Sequence, residues 1–315
     1  MDVENLRTFI NSSINSDTTN AVLFFGTSDK EIFKADVQEE DQKKICKHYT
    51  DALNNAFVLN DEIELLNLSQ EDERKNVLYE YDFDEYLEVF EFISQVVNVE
   101  DEIDICPVSS EMISKITDVI ILLGKSDSYV ILYQKYSPVQ LVKKDKMALL
   151  KGNGNRLRIL EEDILRLSDK IHLFKAQEKY YIFNITVMEK QLGFSKLITQ
   201  KATKGLEEIQ KKGLVEDISL LEEGVNDLSV AKKIASISLN SPIFEKNVPN
   251  HAIFEFVNKH PLLSRKLKLN KDKTKIDIST KIGRKLFLEL MNDDFLHSEL
   301  TKIEYSTKAK NSISE

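Results

Sequence analysis

Cysteine is scarce in this sequence: Cys46 and Cys106 are the only two among 315 residues, too far apart to share a familiar zinc-binding spacing. A disulfide framework and a structural zinc are excluded as organising elements, and both side chains are expected as reduced, partly buried thiols. Long hydrophobic runs are lacking too. Residues 119–123 are representative of the apolar stretches, against the roughly 20 residues that a membrane-spanning helix requires. The first ten residues hold Asp2 and Glu4 against Arg7 alone, with polar Asn and Ser beyond, so the basic and apolar segments of a secretion leader are missing. The expected protein is soluble and cytoplasmic. With 42% hydrophobic residues, its length suffices for a substantial core and favours two domains over one.

Familiar catalytic signatures are missing as well. The run Lys151-Gly152-Asn153-Gly154-Asn155 invites comparison with phosphate loops, because glycine lets backbone N–H groups approach an anion closely. It lacks the Gly-Lys-Ser/Thr ending of a Walker A loop and the third glycine of a dinucleotide fingerprint, which leaves a hairpin loop as the simpler reading. His48, His172, His251, His260 and His297 show no metalloprotease or phosphodiesterase spacing and read as isolated. There is no Gly-x-Ser-x-Gly elbow, and neither cysteine stands beside an expected base. A metal-dependent nuclease needs two or three carboxylates and a lysine around a divalent ion. Asp118, Asp127 and Lys135 fall on adjacent expected strands, yet no carboxylate stands two residues before Lys135. No catalytic residue, metal or cofactor is assigned, and an unrecognised nuclease site stays open as an alternative.

What the sequence has in abundance is charge, unevenly placed. Residues 1–120 hold 28 acidic and 9 basic side chains, a net of -19, whereas residues 121–315 hold 25 acidic and 34 basic, a net of +9. Such asymmetry points to different partners for the two parts, with nucleic acid as a candidate for the basic one. Two ordinary solvated surfaces would give the same count.

The first part reads as mixed α and β. Residues 5–14 have helical spacing, 21–26 form a compact apolar strand, 32–37 alternate like its hairpin partner, and 38–57 return to a helical period. Residues 77–83 fit a strand, and 86–97 place Leu87, Phe90, Ile93 and Val97 on one helical stripe. Acidic side chains crowd residues 80–91, a face that repels nucleic acid. The middle is strand-rich. Residues 118–123, 129–135 and 139–142 suit a meander, 147–150 and 157–160 flank the Gly-Asn-Gly loop, and 171–176 with 180–185 make another hairpin. Tyr180, Tyr181 and Phe183 could stack on single-stranded bases or simply pack in a core. Helices are expected over 186–192, 195–212 and 227–238. A winged-helix-like order closes the chain: a helix ending before Pro261, short strands at 267–269 and 275–278, then a helix opened by Ser279. The expected class is α+β, divided into an acidic α/β module over 1–115 and a basic sheet-plus-helix domain over 116–315.

The strongest physical candidate for a binding surface is residues 259–285, with ten Lys or Arg and two acidic residues. Lys266, Lys268, Lys271, Lys273 and Lys275 recur around the expected hairpin, and Lys281, Arg284 and Lys285 sit at the start of the following helix. Phosphates attract such clusters because neutralising them releases condensed counterions. A second patch comprises Lys143, Lys144, Lys146, Lys151, Arg156 and Arg158. Phosphate contact and a solvated cationic face remain open readings for both.

The run Asn292-Asp293-Asp294-Phe295-Leu296-His297-Ser298-Glu299-Leu300-Thr301-Lys302-Ile303-Glu304-Tyr305 resembles the closing signature of the KwaB-type domain family, in which an acidic pair, an aromatic, Leu, Ser-x-Leu-Thr and Tyr follow the last helix. The basic hairpin, residues 133–138 and 156–166, and the sheet through Ile185 are also similar, so the resemblance covers about residues 116–305. It implies a soluble, homodimeric, non-enzymatic antiphage protein. Such a protein binds phage DNA without sequence preference and is held at the inner membrane by an integral partner, KwaA. A subunit that docks its basic face on acidic protein or lipid is the alternative.

Overall fold

The computed structural model describes residues 2–98, 102–125, 128–136, 141–142, 150–153, 156–159 and 164–310. The chain is α+β and forms two compact units. One comprises Met1–Leu65, Asn76–Tyr81 and Tyr86–Leu192; the other comprises Leu66–Lys75, Asp82–Glu85 and Gly193–Glu315. The boundary expected at 115/116 falls inside the first unit, between two strands of one sheet.

In chain order the first unit contains α1 (Val3–Ile14), β1 (Asn20–Thr27), β2 (Ile32–Lys34), α2 (Glu39–Leu53), β3 (Glu64–Asn67), β4 (Val77–Glu80), α3 (Glu88–Asn98), α4 (Ser110–Lys115), β5 (Ile116–Lys125) and β6 (Ser128–Lys135). It continues through β7 (Leu141–Val142), β8 (Leu150–Asn153), β9 (Arg156–Ile159), β10 (Ile164–Leu165), β11 (Leu173–Ala176), β12 (Lys179–Ile182) and α5 (Ile185–Gln191). Eight strands make one sheet in the order β2-β1-β5-β6-β11-β12-β4-β3. The hairpin of β1 with β2 is antiparallel, as the alternation of residues 32–37 predicts, and so are the pairings of β1 with β5 and β5 with β6.

Helices cover both faces, which is why β5 and β6 read as nearly unbroken apolar runs rather than alternating ones. Leu6, Ile10 and Ile14 of α1 and Tyr49 and Leu53 of α2 pack with Val119, Ile121, Leu132, Phe174 and Tyr181 of the sheet. On the opposite face Phe90 of α3 stacks on Tyr180 at 4.0 Å, and the Tyr180 hydroxyl donates to the Phe90 carbonyl at 2.9 Å. Tyr180 and Tyr181, neighbours in β12, therefore serve two different cores. Burial of both rings removes them as a base-stacking platform.

The second unit contains α6 (Phe194–Lys212), α7 (Ser219–Glu222), α8 (Leu228–Asn240), α9 (Pro242–Glu245), α10 (Asn250–Lys259), α11 (Leu263–Lys266), α12 (Lys281–Met291), β13 (Phe295–His297) and β14 (Glu304–Ser306). Asp227 caps α8 through Ser229 N, and Thr280, one residue later than expected, caps α12 through Gly283 N. The helices α6 and α8 cross closely at Gly205, where a Cβ would lie 3.0 Å from the Ile234 carbonyl oxygen. Acidic residues from early in the sequence belong to this unit. Glu71 pairs with Lys232 at 3.0 Å and Glu85 with Lys201 at 2.7 Å, so part of the charge asymmetry is neutralised locally.

His172 supplies a pH dependence. Its Nδ1 accepts from the Lys135 backbone N–H at 2.8 Å, and burial, reinforced by Lys170, holds its pKa below the usual histidine value. A pKa depressed in the folded state gives stability that is present above the unfolded value of about 6.5 and is lost as pH falls below it. Asparagine at this position offers an acceptor that does not titrate. The melting temperature should drop less between about pH 7 and about pH 5 in His172→Asn than in the parent chain; equal drops would contradict the assignment.

Candidate nucleic-acid interface

The cationic cluster of the second unit is built around a tight turn whose two arms are cross-bonded over a short antiparallel stretch, Asn270 N donating to the Lys275 carbonyl at 2.9 Å and Asp277 N to the Lys268 carbonyl at 2.8 Å. Leu267, Ile276 and Ile278 are buried and fix the segment to the core, while Lys266, Lys268, Lys271 and Lys273 are exposed. The two strands expected at 267–269 and 275–278 reduce to isolated bridges, Leu269 with Ile276 and Val215 with Ile276. Diverted donors account for the difference. The Asn270 side chain accepts from Thr274 N at 2.9 Å and Lys275 N at 3.2 Å, and Ile276 N donates to the Leu214 carbonyl at 2.7 Å. The Asn270 side chain takes the Lys275 N–H that a longer ladder would direct to the Asn270 carbonyl, so pairing stops after this short stretch, while the outward-facing Ile276 N–H joins it to Leu214.

Within this frame the eight basic candidates separate into different roles. Lys275 turns inward, and its ammonium donates to the carbonyl of Gly213, the left-handed residue that ends α6. A cation on the carbonyl end of a helix satisfies an orphan acceptor and opposes the negative end of the dipole. Arg284 is half-buried and donates to the carbonyls of Ile278 at 3.3 Å and Ser279 at 3.1 Å. Lys285 faces Glu289 at 3.7 Å. Lys268 contributes to holding the Asp277 carboxyl below its ordinary pKa, behind the larger effects of hydrogen bonds from Ser279. Among the described residues, Lys266, Lys271, Lys273 and Lys281 form no ion pair within contact distance. Lys281 begins α12, whose first turn contains no acidic residue.

In the second patch, Lys143, Lys144 and Lys146 lie outside the described residues, as does Asp127 of the nuclease reading. Arg156 and Arg158 are exposed on β9, which pairs antiparallel with β8. Asp118 and Lys135 do come together, as a cross-strand ion pair at 3.0 Å, and the buried Tyr133 hydroxyl donates to the same carboxylate at 2.5 Å. This is one carboxylate with its countercharge satisfied. No group of three or more His, Cys, Asp or Glu able to hold a metal occurs among the described residues.

The first residues of the closing segment are anchored in the core. Asp294 is buried, accepts from Asn292 Nδ2 at 2.7 Å and pairs with Lys310 at 3.0 Å. Phe295 packs edge-on against His260, with ring centroids 5.0 Å apart. The histidines are less isolated than their spacing suggests: Glu304 lies 2.9 Å from His297 Nδ1 and 3.7 Å from His260 Nε2.

A family model described as Kiwa protein KwaB-like matches residues 113–301. The chain is also 31% identical, over 300 residues, to Kiwa protein KwaB of Escherichia coli O55:H7 (strain RM12579 / EPEC), covering 92% of this chain and 93% of that protein. The chain belongs to the KwaB-like family. No solved structure matches it. The matched span begins in α4 and includes β5, β6 and all of the cationic turn, so the KwaB-like region takes elements from both compact units.

The separation of roles among the lysines is measurable. Lys275→Met should destabilise the chain by about 1–2 kcal/mol through loss of a charged hydrogen bond at a helix end, whereas Lys271→Gln should stay within about 0.5 kcal/mol of the parent. Urea denaturation of the two variants compares them. Equal stability would remove the structural role given to Lys275.

Proposed function

We propose that this KwaB-like protein acts in bacterial antiphage defence by binding duplex DNA through phosphate contacts, without sequence preference and without catalysis of its own. The observation that carries the reading is the grouping of exposed lysines, Lys266, Lys268, Lys271 and Lys273, on a turn anchored from beneath, next to the cationic start of α12. Lys281 and Arg284 lie in the first turn of that helix, where the dipole is already positive and a cation costs about 0.3–1 kcal/mol, and Lys285 follows in the second. A phosphate at the same end supplies the missing negative charge and accepts from free backbone N–H groups. These contacts reach the backbone of a duplex and carry no base information. The KwaB family further supports assembly as a homodimer on an integral membrane partner similar to KwaA, which would hold this cytoplasmic chain at the inner membrane.

Replacing Lys266, Lys268, Lys271 and Lys273 together by Gln should weaken binding to all duplex sequences alike. The slope of log affinity against log salt should fall by about 0.9 for each phosphate contact removed. Gel-shift titration across salt concentrations measures both quantities, and unchanged affinity and slope would leave the cluster as a solvated face. Degradation of DNA only when magnesium is supplied would favour the nuclease alternative instead.

The partner makes a separate prediction. Expressed alone, the chain should remain in the supernatant after ultracentrifugation in high salt, which releases proteins held only by anionic lipid; expressed with an integral KwaA-type partner, it should sediment with membranes under the same conditions. Recovery in the supernatant in both cases would exclude that partner.

A further inference from the structure

The ribbon of β8 and β9 divides its residues cleanly by face. Register places Leu150 opposite Ile159, Lys151 opposite Arg158, Gly152 opposite Leu157 and Asn153 opposite Arg156. Directly opposed residues share a face and successive residues alternate. One face therefore carries Leu150, Leu157 and Ile159, and the other carries Arg156 and Arg158. The described residues leave the apolar face uncovered: Leu150, Leu157 and Ile159 are 61%, 67% and 58% exposed. An isolated two-stranded ribbon is marginal in water, so the aliphatic side chains gain from a surface that accepts them.

We propose that this ribbon is a contact for anionic lipid, with Leu150, Leu157 and Ile159 entering the boundary between headgroups and acyl chains and Arg156 and Arg158 reaching lipid phosphates. Three considerations favour this occupant. Duplex DNA would take the cationic face and leave the aliphatic face in water. A second copy would meet it with three aliphatic side chains per ribbon, roughly 200–300 Å² per copy against the roughly 800 Å² per partner of a stable interface. A lipid surface accepts both faces of so thin an element, because arginine stems extend along apolar surface while their guanidinium groups stay at the phosphates. The proposal is independent of the lysine cluster in the other unit.

The absence of tryptophan from the sequence makes the test direct, since Leu157→Trp introduces a single reporter into the full chain. Its emission should shift to the blue on adding phosphatidylcholine vesicles that contain phosphatidylglycerol, and should shift less with phosphatidylcholine alone. In flotation assays, Leu157→Ser with Ile159→Thr should bind the anionic vesicles about tenfold more weakly than the parent. Arg156→Gln with Arg158→Gln should lose the preference for anionic lipid and its salt sensitivity. Both double variants should keep their duplex DNA affinity and parental melting temperature. No blue shift, or flotation by the aliphatic variant equal to the parent, would overturn the proposal. So would loss of DNA binding by the arginine variant with flotation intact, which would make the ribbon a nucleic-acid surface. A change of oligomeric state in the aliphatic variant with no vesicle binding by the parent would assign the face to a second copy instead.

Discussion

The antiparallel pairing of β1 with β5 is the constraint on which the first unit depends. It joins residues 20–27 to residues 116–125 and places the longest strand of the sheet beside one from the start of the chain. Once that pair forms, β6 extends it by an antiparallel hairpin, β11 and β12 follow, and both faces acquire the helices that bury them. A chain cut at residue 115 would leave one edge of β5 without its hydrogen-bonding partner and expose Val119, Ile121 and Leu123 where α1 and α2 otherwise pack. The acidic and basic halves of the sequence are thus not separable modules. They fold together.

Electrostatics in the second unit follows from the same interleaving. Segments of the acidic half, Leu66–Lys75 and Asp82–Glu85, belong to the unit that contains most of the late lysines. Glu71 and Glu85 occupy Lys232 and Lys201, and Glu73 occupies Lys308. The cationic turn around Asn270 escapes this neutralisation. Its geometry is maintained by an asparagine side chain and by buried leucine and isoleucine anchors, and Lys266, Lys271 and Lys273 form no ion pair among the described residues although Asp272 and Asp277 lie in the same segment. That combination gives a concentrated positive surface on a defined backbone, which suits phosphate recognition by position rather than by base edge.

Sequence periodicity identified most of the regular elements because their burial is local in origin. The hairpins β1–β2, β5–β6 and β11–β12 and the helices α1, α6 and α8 all follow from apolar spacing and from caps or turns within a few residues. The same logic overstated the length of the pairing at 267–278, where residues alternate as strands do. The Asn270 side chain took the Lys275 donor that a longer ladder needs, and that competitor is not visible in local periodicity. Arg156, Leu157, Arg158 and Ile159 alternate basic and apolar in plain view. The meaning of that pattern depended on knowing that both faces of the ribbon meet solvent.

The sequence by itself determined the α+β class, the KwaB-type resemblance, the positions of the basic clusters and the lack of any familiar catalytic or metal-binding spacing. Only the tertiary structure decided which charges are free to bind. Lys275 and Lys271 look equivalent in a list of basic residues, yet one is held on the Gly213 carbonyl and the other is exposed at a turn. The division into units was likewise a tertiary matter. Strand pairing and ion pairing join residues about a hundred or more positions apart, and neither local propensity nor a running charge count contains information about partners at that distance.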